Sequence, residues 1–249
     1  MSTSDKKIKI LYVEDDAHMR AFLLAQLKAR GFQAQSVRDR DQAIDQVALF
    51  QPHLVLLDLT LPDLDGFTFL QQLREWSSMP VIVLSEHDEE LLKIKAFDLG
   101  ADDYVTKPFN LNELLARVGV ALRRAYETTH LRNTAGSDMQ PSSYHCGGEN
   151  GLIVDFAHRV VRSGGQIVHL TPTEYHLLCE LTRNAGKVLT HRELLQRVWG
   201  PDDNADNSSL RTFIRHLRRK LEPHPAQPRF LLNELGVGYF VPASDVNEV

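Results

Sequence analysis

The feature that most constrains the fold of this chain is a set of short runs that are apolar throughout. LVLLD at residues 54–58 and VIVLS at residues 81–85 are two of them. Strands that are covered on both faces have this pattern, and such strands are typical of parallel sheets with helices on either side. Because helix-like segments separate these runs, we predict an α/β fold with a doubly wound, five-stranded parallel sheet.

The first half of the chain is expected to alternate strands and helices before a polar segment interrupts the pattern. The strands are predicted at residues 8–13, 34–37, 54–58, 80–85 and 104–105. The helices are predicted within residues 17–31 and at about 40–50, 66–77, 89–99 and 110–126. The polar segment is rich in Ser, Thr, Gly and Pro. We therefore predict three regions: a first domain at 1–125, a linker at 126–149 and a second domain at 150–249.

The second half begins with short strands and then changes to helices. In LIVDFAHRVVRSGGQIVHL, the SGG segment predicts a hairpin turn. Helices are expected at about 172–184, 191–199 and 207–221, and RFLLNELGVGYFVP predicts a second hairpin. A helix, a connection, a second helix and a hairpin follow one another in a winged helix-turn-helix domain.

The composition and the N-terminal segment favour a soluble protein of the cytoplasm. Apolar residues make up 43% of the chain and charged residues 24%, with a net charge of -5. The N-terminal segment MSTSDKKIKI lacks the apolar stretch of a signal peptide, and no run approaches the roughly 18 apolar residues of a membrane span. We expect the two cysteines, Cys146 and Cys179, to be free thiols in a reducing compartment, and we expect no membrane partner.

Chemically reactive side chains lie at the ends of four predicted strands. Glu14 and Asp15 follow the first strand, Asp58 ends the third, Ser85 ends the fourth and Lys107 follows the fifth. The carboxyl ends of parallel strands meet at one edge of a sheet, so these groups are expected to lie together. Mg²⁺ binds such carboxylates together with water and phosphate, and a carboxylate such as Asp58 can attack a phosphoryl group.

Each of these residues also has a structural explanation when it is taken alone. An Asp after a strand is usually a turn residue or a helix cap. The acids at the end of the first strand could belong to a helix N-terminus, and Asp16 is itself a candidate N-cap. The coincidence of four reactive features at matching strand ends favours the functional interpretation.

Residues 8–125 resemble the receiver domain of response regulators in four motifs: ILYVEDD, LVLLDLTLPDLDG, VIVLS and GADDYVTKPF. The resemblance implies that Asp58 accepts a phosphoryl group from a sensor histidine kinase. It also implies that Glu14, Asp15 and Asp58 bind Mg²⁺, together with the backbone carbonyl of Thr60.

The same resemblance assigns roles to three further residues and shows one departure. Ser85 and Lys107 are expected to contact the phosphoryl group, and Tyr104 occupies the position of the switch aromatic residue. Glu86 stands where the family usually has a small residue. We expect this acid to slow the reaction with small phosphodonors or to alter autodephosphorylation.

The segment SSLRTFIRHLRRKLE, residues 208–222, has two different faces. One face is an apolar stripe at helical spacing, formed by Leu210, Phe213, Ile214, Leu217 and Leu221. The other holds the candidate DNA contacts, which are Arg211, Thr212, Arg215, His216, Arg218, Arg219 and Lys220. No acid occurs at 208–221, so positive charge is concentrated on this helix, as a DNA-facing element requires. The alternative is a charged helix face that meets only solvent. The order of the helices and the hairpin favours DNA binding over this alternative.

Residues 150–242 resemble the winged-helix effector domain of the OmpR/PhoB family in LTPTEYHLLCELTRNAGKVLTHRELLQRVWG, HLRRKLE and GVGY. Stretches such as VWGPDDN and ELGVGYF look most like the members that regulate a potassium-transport operon. Leu235 and Phe240 stand where many members have an Arg that reaches the minor groove. Minor-groove contact by this wing is therefore left open, with Arg229 and Asn233 as the weaker substitutes.

The family resemblance also implies a dimer, formed by the fourth helix, fifth strand and fifth helix. The matching positions have charges of both signs, as a two-fold interface requires, and they are Lys93, Asp102, Asp103, Glu113 and Arg117. The expected partners are a sensor histidine kinase, double-stranded promoter DNA, a second copy upon phosphorylation, and RNA polymerase. We expect a phosphorylation-controlled transcriptional regulator and not an enzyme.

Two other functions stay open at this point. One is a phosphotransfer module whose winged helix docks onto a protein, which the acid-free basic helix disfavours. The other is a constitutive DNA binder with a vestigial receiver, which is disfavoured by the complete set of Glu14, Asp15, Asp58, Ser85 and Lys107.

Overall fold

The computed structural model describes residues 7–61, 64–130, 142–148, 150–200 and 207–245. The chain forms two compact units that divide between Leu122 and Arg123. Most of the predicted linker lies outside the described residues, as do Pro62 and Asp63 of the loop that follows Asp58.

The first unit contains a five-stranded parallel sheet, as predicted. Its strands are β1 (Lys9–Val13), β2 (Gln33–Val37), β3 (Leu54–Asp58), β6 (Val81–Ser85) and β7 (Asp103–Thr106), and a short hairpin is formed by β4 (Thr60–Leu61) and β5 (Leu64–Asp65). The order in the sheet is β2-β1-β3-β6-β7, and all neighbours pair in parallel. The strand order reverses between β1 and β3, which is where open α/β sheets form their ligand crevice.

Helices alternate with these strands along the chain, and the central strands are fully covered. The helices are α1 (Ala17–Ala29), α2 (Arg40–Phe50), α3 (Gly66–Arg74), α4 (Glu90–Asp98) and α5 (Leu111–His130). Every residue of β3 and β6 is buried, which confirms the interpretation of their apolar runs. The helix α5 continues to His130, so it extends past the predicted start of the linker.

The second unit has two antiparallel sheets around three helices. Its elements are β8 (Ser143–Cys146), β9 (Leu152–Asp155), β10 (Val160–Ser163), β11 (Gln166–Ile167), α6 (Pro172–Arg183), β12 (Leu189–Thr190), α7 (His191–Trp199), α8 (Asn207–Leu221), β13 (Leu232–Glu234) and β14 (Gly238–Phe240). The sheet orders are β11-β10-β9-β8 and β12-β14-β13. The strand β8 falls within the predicted linker, where Tyr144 pairs with Val154 of β9.

Close packing fixes α8 and the hairpin β13–β14, which we call the wing. The predicted stripe of α8 is buried, and the Phe213 ring lies 5.3 Å from the Trp199 ring of α7. Gly238 lets β14 approach β12, because a Cβ at this position would lie 1.9 Å from the carbonyl oxygen of Leu189. Leu235 at the wing tip is 89% exposed.

Asp102, predicted on a dimer surface, lies instead inside the first unit. Its side chain is 1% exposed, lies 3.1 Å from the Arg74 guanidinium and accepts a hydrogen bond from the Val81 N–H at 3.0 Å. Arg74 also donates to the carbonyl oxygens of Met79 and Gly100. The prediction for Asp102 was wrong because its partner is a distant arginine that sequence spacing does not reveal.

The other predicted dimer residues also have partners within the chain. Arg117 lies 3.1 Å from Asp103 and 3.0 Å from Glu113, and both Arg117 and Asp103 are buried. Lys93 lies 2.7 Å from Asp88. Within one chain, therefore, Asp103 and Arg117 neutralise each other, and Lys93 and Glu113 are the partly exposed members of the set.

We predict that Asp102→Ala lowers the free energy of unfolding by about 3 kcal/mol, since it leaves the partly buried guanidinium of Arg74 and the buried Val81 N–H without this acceptor. Urea denaturation of the full chain measures the change. The exposed Glu75→Ala is the control, with an expected change within about 0.5 kcal/mol. A similar small change in Asp102→Ala would contradict a structural role for this ion pair.

Candidate functional sites: an acidic centre and a basic helix face

The carboxyl ends of β1 and β3 bring three acids together. Glu14 and Asp15 follow β1, and Asp58 is the last residue of β3. One carboxylate oxygen from each lies within 4.8 Å of the others. Glu14 and Asp58 are 1% and 2% exposed, whereas Asp15 is exposed. Like charges this close repel one another, and a nearby cation relieves the repulsion.

Lys107 provides a cation within this cluster. Its Nζ lies 2.7 Å from Oε2 of Glu14 and 2.7 Å from Oδ2 of Asp58. Burial lowers the pKa of Lys107, but the hydrogen bonds and charges of the two acids outweigh it and raise that pKa above its ordinary value. The ammonium group therefore stays charged.

Tyr12 is a further member of the centre that the sequence analysis missed. Its hydroxyl donates a hydrogen bond to Oε2 of Glu14, and the ring is fully buried. Burial raises the pKa of Glu14, and the hydrogen bonds from Lys107 and Tyr12 partly offset this effect. A signal was present, because Tyr12 lies two residues before Glu14 and side chains at this spacing share one face of an extended strand.

The second oxygen of Asp58 is held by Thr60. The Thr60 N–H and hydroxyl donate to Oδ1 of Asp58 at 2.9 and 3.1 Å. Gly66 allows α3 to begin beside this strand end, since a Cβ there would lie 2.8 Å from the Asp58 carbonyl oxygen. Both carboxylate oxygens of Asp58 thus have defined partners, which orients the group towards the crevice. Metal coordination by the Thr60 carbonyl stays a prediction.

Ser85 and Tyr104 lie next to this centre and share one neighbour, His87. Ser85 is fully buried, and its Oγ accepts a hydrogen bond from the His87 N–H at 3.1 Å. The Tyr104 hydroxyl donates to the His87 carbonyl oxygen at 2.8 Å, and burial raises the pKa of Tyr104. A displacement of Ser85 would therefore disturb the residue that holds Tyr104. No sequence pattern singled out His87, because its backbone and not its side chain makes these contacts.

The acidic centre fits a hard divalent cation. Its three carboxylates offer oxygen ligands within 4.8 Å of one another, and the exposed Asp15 leaves the centre open to solvent. Mg²⁺ prefers one or two carboxylates, water and a substrate phosphate. Glu14, Asp15 and Asp58 are therefore the residues that would hold the ion.

The basic face of α8 is smaller than the sequence predicted. Arg211, Arg215 and Arg219 are exposed. They border a cavity of about 410 Å³, whose other lining residues are Ile214, Arg218, Pro225, Ala226 and Tyr239. This cavity joins the helix face to the following loop and to the wing, because Tyr239 belongs to β14.

Two predicted DNA contacts are buried. Thr212 is 3% exposed and His216 is 6% exposed, so neither is on the surface of α8 that could meet DNA. The His216 ring lies 6.2 Å from the Phe213 ring, and its Nδ1 lies 4.0 Å from the Glu174 carboxylate. These two predictions were wrong because the buried arc of the helix is wider than its apolar stripe.

Two further predicted contacts are engaged within the second unit. The Arg218 guanidinium donates to the Leu231 carbonyl oxygen at 2.7 and 3.0 Å, and the Lys220 ammonium lies 2.7 Å from the buried carboxylate of Glu174. In this structure both cations stabilise the position of α8. Arg218 in particular joins α8 to the segment that enters the wing.

Comparisons with known proteins identify both units. The sequence-family model of the response regulator receiver domain matches residues 10–119. The family model of the C-terminal domain of transcriptional regulatory proteins matches residues 165–241. The KDP operon transcriptional regulatory protein KdpE of Escherichia coli (strain K12) is 45% identical over 230 residues, which cover 92% of this chain and 97% of that protein. The chain belongs to the response regulator family, in the OmpR/PhoB group that includes KdpE.

A second relative agrees with this assignment, and a solved structure shares the fold. The transcriptional regulatory protein KdpE of Mycobacterium tuberculosis (strain CDC 1551 / Oshkosh) is 40% identical over 92% of this chain and 97% of that protein. A solved structure of a RitR mutant shares the fold, with a TM-score of 0.73 at 24% identity over 95% of this chain and 100% of that chain.

This response regulator is a phosphorylation-controlled transcription regulator with a receiver domain and a C-terminal DNA-binding domain. Receiver domains bind Mg²⁺ at an acidic pocket, and Glu14, Asp15 and Asp58 form such a pocket here. In the part of the chain that the structure describes, no helix is both long and apolar enough to span a membrane.

We predict that Lys107→Met increases the affinity of the receiver for Mg²⁺ severalfold. The substitution removes a cation that lies 2.7 Å from two acids, so the metal no longer competes with a fixed positive charge. Isothermal titration calorimetry of the full chain measures the dissociation constant. Lys28→Met, at an exposed position of α1, is the control and should leave the constant unchanged. An equal or weaker affinity in Lys107→Met would show that this cation does not oppose the metal.

Proposed function

We propose that Asp58 is the phosphoacceptor of this response regulator and that a sensor histidine kinase is the donor. The observation that most supports this is the fixed orientation of the Asp58 carboxylate, with Oδ2 on Lys107 and Oδ1 on Thr60, beside two further acids. A carboxylate oxygen attacks the phosphorus atom, a P–O bond forms as the P–N bond of the phosphohistidine breaks, and the leaving imidazole takes up a proton.

The residues around Asp58 have separate roles in this transfer. Lys107 lies within hydrogen-bonding distance of Asp58, so its ammonium can neutralise a phosphoryl oxygen bound to that residue. The Ser85 hydroxyl can donate to another phosphoryl oxygen once it turns away from the His87 N–H. When bound, Mg²⁺ supplies positive charge that stabilises the phosphoryl group during transfer.

The response to phosphorylation is proposed to begin at His87. Movement of Ser85 towards the phosphoryl group releases the His87 N–H, and the Tyr104 hydroxyl is bonded to the carbonyl of that same residue. The phosphoryl group can shift this equilibrium only by its different affinity for the two arrangements. A dimer of receivers is the proposed outcome, with the partly exposed Lys93 and Glu113 as candidates for contacts between chains.

The second unit is proposed to bind double-stranded promoter DNA and to catalyse no reaction. The helix α8 would enter the major groove, with Arg211, Arg215 and Arg219 meeting bases or phosphates. Two relatives are regulatory proteins named KdpE, and one is described as the regulator of the KDP operon. We therefore propose a potassium-transport operon as the target, RNA polymerase as a further partner and the cytoplasm as the location.

We predict that Asp58→Asn abolishes phosphorylation by acetyl phosphate in Mg²⁺, because an amide is not a carboxylate nucleophile. Acid-labile phosphate on the full chain, quantified by intact-mass spectrometry, measures the loss. Asp39→Asn is the control, since Asn can also cap α2 and should leave phosphorylation unchanged. Undiminished acid-labile phosphate on Asp58→Asn would mean that another residue is the acceptor.

We predict that alanine substitutions at Arg211, Arg215 and Arg219 each weaken DNA binding. Loss of a phosphate contact should lower the salt slope by about one unit, and loss of a guanine contact should cost roughly 1–3 kcal/mol at one base pair.

Arg218→Ala should instead lower the free energy of unfolding by about 1–3 kcal/mol, since it leaves the Leu231 carbonyl without its donor.

Fluorescence anisotropy with promoter DNA over a range of salt concentrations distinguishes the loss of a phosphate contact from the loss of a guanine contact. Arg162→Ala, at an exposed position of β10, is the matched control and should bind DNA as the parent chain does. If the three substitutions at Arg211, Arg215 and Arg219 leave both affinity and salt slope unchanged in folded protein, then α8 does not contact DNA.

A further inference from the structure

The three acids of the receiver centre differ in how they are held in place. Glu14 is bonded to Tyr12 and Lys107, and Asp58 is bonded to Lys107 and Thr60. Asp15 is exposed, and among the described residues its carboxylate has no hydrogen bond or ion pair of its own. The direction in which this carboxylate points therefore depends on its backbone.

Arg20 holds that backbone. Its Nη1 donates to the Glu14 carbonyl oxygen at 2.7 Å and to the Asp15 carbonyl oxygen at 2.6 Å. Arg20 belongs to the first turn of α1, and Asp16 fixes the start of this helix by accepting hydrogen bonds from two backbone N–H groups. One guanidinium nitrogen thus joins the two acidic residues to a capped helix.

We propose that Arg20 is a positioning residue for the Mg²⁺ site. By holding the peptide groups of Glu14 and Asp15, it keeps the Asp15 carboxylate directed towards Asp58 before the metal arrives. Groups that orient metal ligands influence affinity without touching the metal, because they reduce the rearrangement that binding requires. The inference rests on the proposed function of the acidic centre as the metal site of phosphoryl transfer.

An electrostatic role and a positioning role of Arg20 predict opposite changes in the affinity for Mg²⁺. Arg20 is a cation beside a cation site, so removing its charge alone should strengthen Mg²⁺ binding. Removing its hydrogen bonds to the carbonyl oxygens of Glu14 and Asp15 should weaken Mg²⁺ binding, because the metal itself then has to order the Asp15 carboxylate. The sign of the change in affinity therefore distinguishes a positioning role from a simple electrostatic one.

The test is calorimetric titration of the full chain with Mg²⁺, with the thermal unfolding midpoint in EDTA as a second measurement. Arg20→Ala should raise the dissociation constant about tenfold or more. Arg20→Lys keeps the charge with a shorter side chain, and it should weaken binding to a smaller extent. Arg30→Ala is the control, since Arg30 bonds to Gln26 on the same helix and lies outside the centre.

Distinct results would overturn the proposal. If Arg20→Ala folds and binds Mg²⁺ as tightly as the parent or more tightly, Arg20 does not position the ligands. If the alanine variant does not fold, an unchanged dissociation constant for Mg²⁺ in Arg20→Lys would show the same. A lower unfolding midpoint with an unchanged dissociation constant would assign it a purely structural role. If the parent chain binds no Mg²⁺, the assignment of the metal site is overturned as well. If the parent binds Mg²⁺, only the positioning role of Arg20 is overturned.

Discussion

The ammonium group of Lys107 lies between two buried carboxylates, and the arrangement of the receiver centre depends on this contact. Its Nζ is 2.7 Å from both Glu14 and Asp58, which otherwise would repel each other at the switch point of the sheet. Since Thr60 holds the other oxygen of Asp58, both oxygens are already engaged. The oxygen that attacks a phosphoryl group is therefore already a hydrogen-bond acceptor, and a metal ion at this centre shares the acids with Lys107.

The second unit also uses buried acids to fix cations and backbone. Glu174 holds Lys220, and Glu222 accepts hydrogen bonds from the N–H groups of Arg229, Phe230 and Leu231 at 2.7–2.8 Å. Arg218 binds the carbonyl oxygen of Leu231. The basic residues of α8 thus divide into those that fix the helix against its neighbours, such as Arg218 and Lys220, and those that are exposed at its surface, such as Arg211 and Arg219.

The sequence was sufficient where a local pattern determined the result. The strand at residues 54–58 and the helix at residues 207–221 have the predicted bounds, because apolar runs and helical spacing report burial directly. The burial of His216 was not predictable, since a helical stripe gives the centre of the buried face and not its width. The pairing of Asp102 with Arg74 joins residues 28 positions apart, and such a contact has no local signature.

The most direct test of this account is the affinity of the full chain for promoter DNA before and after phosphorylation at a fixed protein concentration. The parent chain and Asp58→Asn are compared after incubation with acetyl phosphate and Mg²⁺, with acid-labile phosphate measured on the same samples. We expect phosphorylation to tighten DNA binding by the parent and to leave Asp58→Asn unchanged. Equal DNA affinity of the phosphorylated and unphosphorylated parent would contradict the claim that the centre at Asp58 controls DNA binding.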